Sequence, residues 1–89
     1  MATLIKSNGE EQEISPENGK YFKLKELQVL VGGYIETISV ATNQLMVVNE
    51  EGKLLKLPYN KKATQIALEN CVFDMIVGDV IVCMSNEIK

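Results

Sequence analysis

The chain has 89 residues, with 12 acidic and 9 basic side chains for a net charge of −3, and it contains no His, Arg or Trp. An apolar share of 46% with 24% charged residues is that of a globular protein, not a disordered one, and no run approaches the roughly 20 apolar residues of a membrane span. The composition excludes an imidazole base, an ordinary His-containing zinc site and a guanidinium clamp for phosphate, and the acidic balance argues against a general duplex-DNA binder.

One domain spanning residues 1–89 is expected, near the lower end of the size at which a single core folds unaided, so a homo-oligomer, dimer or tetramer, is a natural supplement. The N-terminal run Met1 to Lys6 is too short for the apolar region of a signal peptide, and a cytoplasmic location is expected. An N-terminal hairpin is predicted over residues 3–14, with Ser7-Asn8-Gly9 between short extended runs and Asn-Gly tolerating positive φ. Ser15 to Gly19 reads as a turn. The three- and four-residue spacing of Leu24, Leu27, Leu30 and Val31 predicts a helix over about 23–31, stopped by Gly32-Gly33, although Lys23 stands where a Ser, Thr or Asp cap is preferred.

A three-stranded meander is predicted over about 34–57. Tyr34 to Ala41 and Gln44 to Asn49 are rich in β-formers around a reversal at Thr42-Asn43, and Lys53 to Leu57 can return antiparallel after Gly52, ending at Pro58. Asn60 can cap a further helix over 61–69, with Ala63, Ile66 and Ala67 as a partial apolar stripe. The apolar tail, 72–84, reads as two interior strands, Phe73 to Val77 and Val80 to Met84, reversing at Gly78-Asp79. The fold class is therefore α+β: a small antiparallel, meander-rich sheet with one or two short helices. Cys71 and Cys83 lack Cys-x-x-Cys spacing and histidine partners and read as buried, reduced thiols.

All nine cations are lysines, and four of them, Lys53, Lys56, Lys61 and Lys62, lie in a ten-residue stretch with no acid. That stretch carries +4 and the rest of the chain −7. Lysines attract phosphate, Tyr59 offers a stacking face, and Asn60 offers donors and an acceptor to base edges. If Asn60 caps a helix, the free N–H groups of its first turn add an anion site. Solvated surface lysines are the bland alternative, since Lys53 and Lys56 are an odd number of residues apart along a strand. No pair of carboxylates has spacing that implies general acid/base chemistry, and Ser or Thr nucleophiles would lack a His base. No metal site or cofactor is expected, and the chain reads as a binding protein, not an enzyme.

The segments Leu30-Val31-Gly32-Gly33-Tyr34-Ile35-Glu36, Asn49-Glu50-Glu51-Gly52-Lys53, Leu57-Pro58-Tyr59-Asn60 and Asp74-Met75-Ile76-Val77-Gly78-Asp79, in that order, resemble a domain-of-unknown-function family, number 3846, common in phages and mobile elements of bacteria. The departures are Tyr59, where a second proline is frequent, and Lys23 at the helix cap. The resemblance implies a phage setting, in which small proteins often counter host defence. One such strategy is a sponge that sequesters a cyclic mono- or dinucleotide alarm signal without cutting it. The residues expected to hold such an anionic ligand are Tyr34, Asn49, Lys53, Lys56, Tyr59, Asn60 and Lys61. The alternative is an acidic inhibitor or decoy of a host defence or nucleic-acid enzyme, acting through Glu10, Glu11, Glu13 and Glu17.

Overall fold

A computed structural model of the chain describes residues 2–88. It is the expected α+β fold, a five-stranded antiparallel sheet with two helices, β1 (Ala2–Ile5), β2 (Glu11–Ile14), α1 (Leu24–Val31), β3 (Ile35–Ala41), β4 (Gln44–Asn49), α2 (Lys61–Glu69) and β5 (Val80–Met84). The strand order is β2-β1-β5-β4-β3, so the last strand in sequence is the central one. It pairs Leu4 with Ile81 on one side and Val47 with Ile81 on the other, tying the start of the chain to its end.

Alternation along the strands assigns each side chain to a face. Ala2, Leu4, Val47, Ile81 and Cys83 point to one face, where Leu27 and Val31 of α1 and the fully buried Phe22 cover them. Ile5, Val40, Met46, Val48 and Val80 point to the other, against Ala63 and Ala67 of α2 and Ile76 of the segment that follows it. Ala63 and Ala67 are both fully buried there, and Ile66 packs beside them. A sheet covered on both faces needs a central strand apolar on both faces, and Val80-Ile81-Val82-Cys83 is that strand.

The same requirement explains two departures from the predicted elements. Lys53 to Leu57 is not the third strand of a meander; it folds into turns closed by Leu55 N–H to Glu51 O (2.9 Å) and Leu57 N–H to Gly52 O (3.0 Å). In the slot beside β4 its two lysines, three residues apart, would have put one charge on each covered face, and β5 takes that place. Phe73 to Val77 is likewise not a strand. Only Val77 bridges, to Tyr59, while Thr64 Oγ1 accepts from Ile76 N–H (2.9 Å) and donates to Ile76 O (3.3 Å), pinning the segment to α2.

The helix ends are resolved locally. Lys23 provides no side-chain cap, but the Glu26 carboxylate accepts from the backbone N–H groups of Glu17 (3.0 Å) and Lys23 (3.2 Å), and these bonds hold its pKa below the ordinary value. At the far end of α2, Cys71 is left-handed (φ 63), with Cys71 N–H on Leu68 O and Val72 N–H on Ala67 O, a Schellman arrangement built without glycine. This places Cys71 on the surface, correcting the expectation of two buried thiols, while Cys83 is buried as expected.

Candidate functional site

Asn60 is the pivot of the lysine-bearing segment. It is 0% exposed, and each polar group of its amide is used: Oδ1 accepts from Ala63 N–H (3.0 Å), and Nδ2 donates to Ile5 O (3.0 Å) and Gly78 O (2.9 Å). The helix cap is as expected, and it welds the start of α2 to the end of β1 and to the loop before β5. No amide group remains to read a ligand, so Asn60 is a structural residue of this corner.

Beyond this cap, α2 opens with Lys61 and Lys62 and has no acidic residue in its first turn. Positive charge there opposes the helix dipole, where Asp or Glu is favoured by about 0.3–1 kcal/mol. The two lysines and Gln65 line a shallow cleft against the hairpin tip Ser7-Asn8-Gly9. Lys62 is engaged by Glu11 of β2. Lys61 has no ion-pair partner among the described residues.

Three other expected residues lie at the opposite corner. Asn49 is buried, its Nδ2 donating to Val31 O (3.1 Å) and its Oδ1 accepting from Glu51 N–H (2.8 Å). A Cβ on Gly33 would stand 3.1 Å from Asn49 Nδ2, so the close approach that Gly33 permits is to this side chain and not to a ligand. Tyr34 is exposed and linked to the same corner through Glu50 N–H to Tyr34 O (2.8 Å). Lys53 pairs with Asp74, which lowers the Asp74 pKa through that hydrogen bond. Asn49, Lys53 and Asp74, together with Glu36 and Glu50, line a cleft holding three carboxylates and one ammonium, a surface hostile to an anion.

Tyr59, 48% exposed, lines a groove with Thr64, Leu68, Phe73, Asp74 and Met75. Lys56 is exposed at the left-handed position (φ 55) of the turn before Pro58. The seven expected residues therefore do not converge on one cavity. Tyr59 and Lys61 flank the Asn60 cap, Lys56 lies in the preceding turn, and Asn49, Lys53 and Tyr34 belong to the acidic corner. The +4 of the sequence is halved in space, because Lys53 and Lys62 are spoken for by Asp74 and Glu11.

Sequence reasoning missed the apolar surface around Tyr59, because Phe73 and Met75 were assigned to an interior strand. Asp74 between them was the available signal, since a strand buried on both faces does not tolerate a carboxylate at its centre. Among the described residues no group of three or more His, Cys, Asp or Glu is arranged to hold a metal ion, and no helix is long and apolar enough to cross a membrane.

A family model described as "Domain of unknown function (DUF3846)" matches residues 1–88 of the chain. No curated protein and no solved structure matches it.

Proposed function

The chain belongs to the DUF3846 family, and from that premise we propose that it is a non-catalytic binding protein that sequesters a small anionic nucleotide at the start of α2. The observation that supports this reading most is the pair of lysines at the first two positions of a capped helix, where local energetics favour acids. A phosphate placed there would meet the Lys61 ammonium and the N–H groups of the first turn that the Asn60 cap leaves unbonded. Lys56 adds charge from the preceding turn, and the half-exposed ring of Tyr59 offers a stacking face worth about 1–3 kcal/mol per base.

In the phage setting that the family resemblance implies, the occupant would be a cyclic mono- or dinucleotide defence signal, held and not hydrolysed. Tyr34, Asn49 and Lys53 have no part in the revised site. Of the acids of the alternative reading, Glu10, Glu11 and Glu13 lie on or beside the exposed edge strand β2, where charge keeps a free edge from pairing with another chain, and Glu17 lies apart from them in the turn before α1. Glu11 is already committed to Lys62.

The reading is tested by thermal unfolding of the chain with a panel of cyclic mono- and dinucleotides. A ligand at 100 times its Kd stabilises by about 2.7 kcal/mol, enough to raise the midpoint by several degrees in a domain of this size. Lys61→Glu and Tyr59→Ala should each abolish the shift without lowering the unliganded midpoint by more than a degree or two. No shift across the panel, or a shift that survives both substitutions, would sink the proposal.

A further inference from the structure

The two outer strands of the sheet are β2 and β3, and their free edges are not alike. β2 has four residues, two of them glutamates, whereas β3 has seven with Glu36 as its one charge. β3 is therefore the edge that lacks the usual protection against pairing. The bond from Glu50 N–H to Tyr34 O fixes the phase of its ladder with β4. Tyr34 and Glu50 are a hydrogen-bonded pair, so Ile35, Thr37 and Ser39, opposite Asn49, Val47 and Leu45, form non-hydrogen-bonded ones. Those three residues direct their N–H and C=O groups away from β4, and no strand among the described residues pairs with them there. The register shift beyond Ser39 ends the regular edge.

Glu36 and Ile38 alternate to the opposite face, where they line the acidic cleft that also holds the exposed Leu54 and Met75. The charges of that cleft, Glu36, Glu50 and Asp74 against Lys53, sum to −2, and neither Glu36 nor Glu50 has a basic partner among the described residues. At about 140 Å³ it is smaller than the roughly 300–1,000 Å³ of a small-molecule site and is of a size for side chains.

We propose that β3 takes up an extended segment of another protein, bearing lysine or arginine, as a sixth strand of the sheet, with alternate side chains of that segment entering the acidic cleft. Main-chain bonds to Ile35, Thr37 and Ser39 supply affinity, and the cleft supplies selection. Positions facing Glu36 and Ile38 lie about 4.5–5.5 Å from them on the cleft side, and long side chains there also reach diagonal neighbours about 7–8 Å away. Cationic groups meet Glu36 and Glu50, and an apolar one meets Ile38 and Leu54. Charge decides against a second copy of the chain. Paired antiparallel across a two-fold axis normal to the sheet, it would bring its own Glu36 to the same face, adding an acid to a cleft already at −2. Lys56, Tyr59 and Lys61 are in neither the edge nor the cleft, so this inference goes beyond nucleotide binding and stands or falls separately.

Fluorescence anisotropy tests it, with a labelled synthetic peptide that alternates threonine with lysine and leucine. Two controls are the same peptide with glutamate for lysine and the same peptide methylated on its backbone nitrogens. The lysine peptide should bind with a Kd of about 100 μM or tighter, and both controls at least about tenfold more weakly. Glu36→Lys and Glu50→Lys should each weaken binding at least about tenfold and keep a cooperative melt, since both residues are exposed. Thr37→Pro removes an N–H that faces solvent, a place where an edge strand tolerates proline, and should abolish binding. In hydrogen exchange the peptide should protect the amides of Ile35, Thr37 and Ser39, a readout independent of any variant. No binding at about 1 mM, a glutamate peptide that binds as well, binding that survives methylation, or unprotected amides at saturation would each overturn the proposal. So would a wild-type dimer in which these amides are already protected, since the edge would then belong to a second copy.

Discussion

Asn60 shows how a residue can be legible in kind and misread in role. Its position before a partial helical stripe predicted a cap, and the cap is there, but two further bonds to Ile5 O and Gly78 O take it out of solvent. Those bonds join residues 55 and 18 positions away, and no local pattern encodes them. Asn60→Ala should lower unfolding free energy in urea by about 2–4 kcal/mol, from the lost cap and the two carbonyls left unpaired. Asn60→Asp should be at least as damaging, since it keeps the cap acceptor but sets a carboxylate against two carbonyl oxygens. An unchanged midpoint for either would return Asn60 to the surface. The two cysteines make a second residue-scale contrast. Burial, and secondarily the charge of Glu87, push the Cys83 thiol up to about 11 from an ordinary 9.0. With the folded value raised, its contribution is fully present below about pH 9 and is lost as pH rises through about 11. Stability should therefore fall more steeply above pH 9 in the wild type than in Cys83→Ala. At pH 8 a thiol reagent should label Cys71 rapidly and Cys83 only in denaturant. At Cys71 itself the left-handed backbone favours Cys71→Gly, with a gain of up to about 1 kcal/mol in the same melts.

At the scale of elements, the sequence was most legible where a segment's own pattern decides its structure. The bounds of α2 are the predicted ones, and the Thr42-Asn43 reversal joins β3 and β4 with Asn43 at φ 60. It was least legible where segments compete for one place. Lys53 to Leu57, Phe73 to Val77 and Val80 to Met84 all have strand-forming composition, but a single central slot exists, and only the last is apolar on both faces. The losers became surface: a turn carrying Lys56 and a pinned segment carrying Phe73 and Met75. The Thr64 hydroxyl shares the pinning with the bond from Asn60 N–H to Ile76 O. Thr64→Val removes both bonds to Ile76 at nearly constant volume and should cost about 1–2 kcal/mol. It should also raise hydrogen exchange at the Ile76 amide well before the amides of β5 exchange. Equal protection of the Ile76 amide in variant and wild type would mean that the backbone bonds of Asn60 N–H to Ile76 O and Gly78 N–H to Pro58 O hold the segment without the hydroxyl.

For the molecule as a whole, the α+β class and the antiparallel sheet followed from composition and periodicity, but the site did not, because charge in sequence is not charge in space. Four lysines in ten residues suggested one cationic surface; folding sets Lys53 against Asp74, Lys62 against Glu11, and leaves the positive character to Lys56 and Lys61 around a capped helix start. The family motifs converge for reasons of assembly, with Gly33 against Asn49 and Gly78 against Leu57. What they hold in place is a helix that begins with two lysines beside an exposed tyrosine. The central claim is that this corner binds a nucleotide and leaves it whole. Isothermal titration of the wild-type chain with cyclic mono- and dinucleotides, followed by removal of the protein and recovery of the ligand, tests it most directly. The account predicts saturable binding to at least one member of the panel, weakened at least about tenfold by Lys61→Glu, with the ligand recovered intact. Absence of heat across the panel, or recovery of a cleaved product, would contradict it.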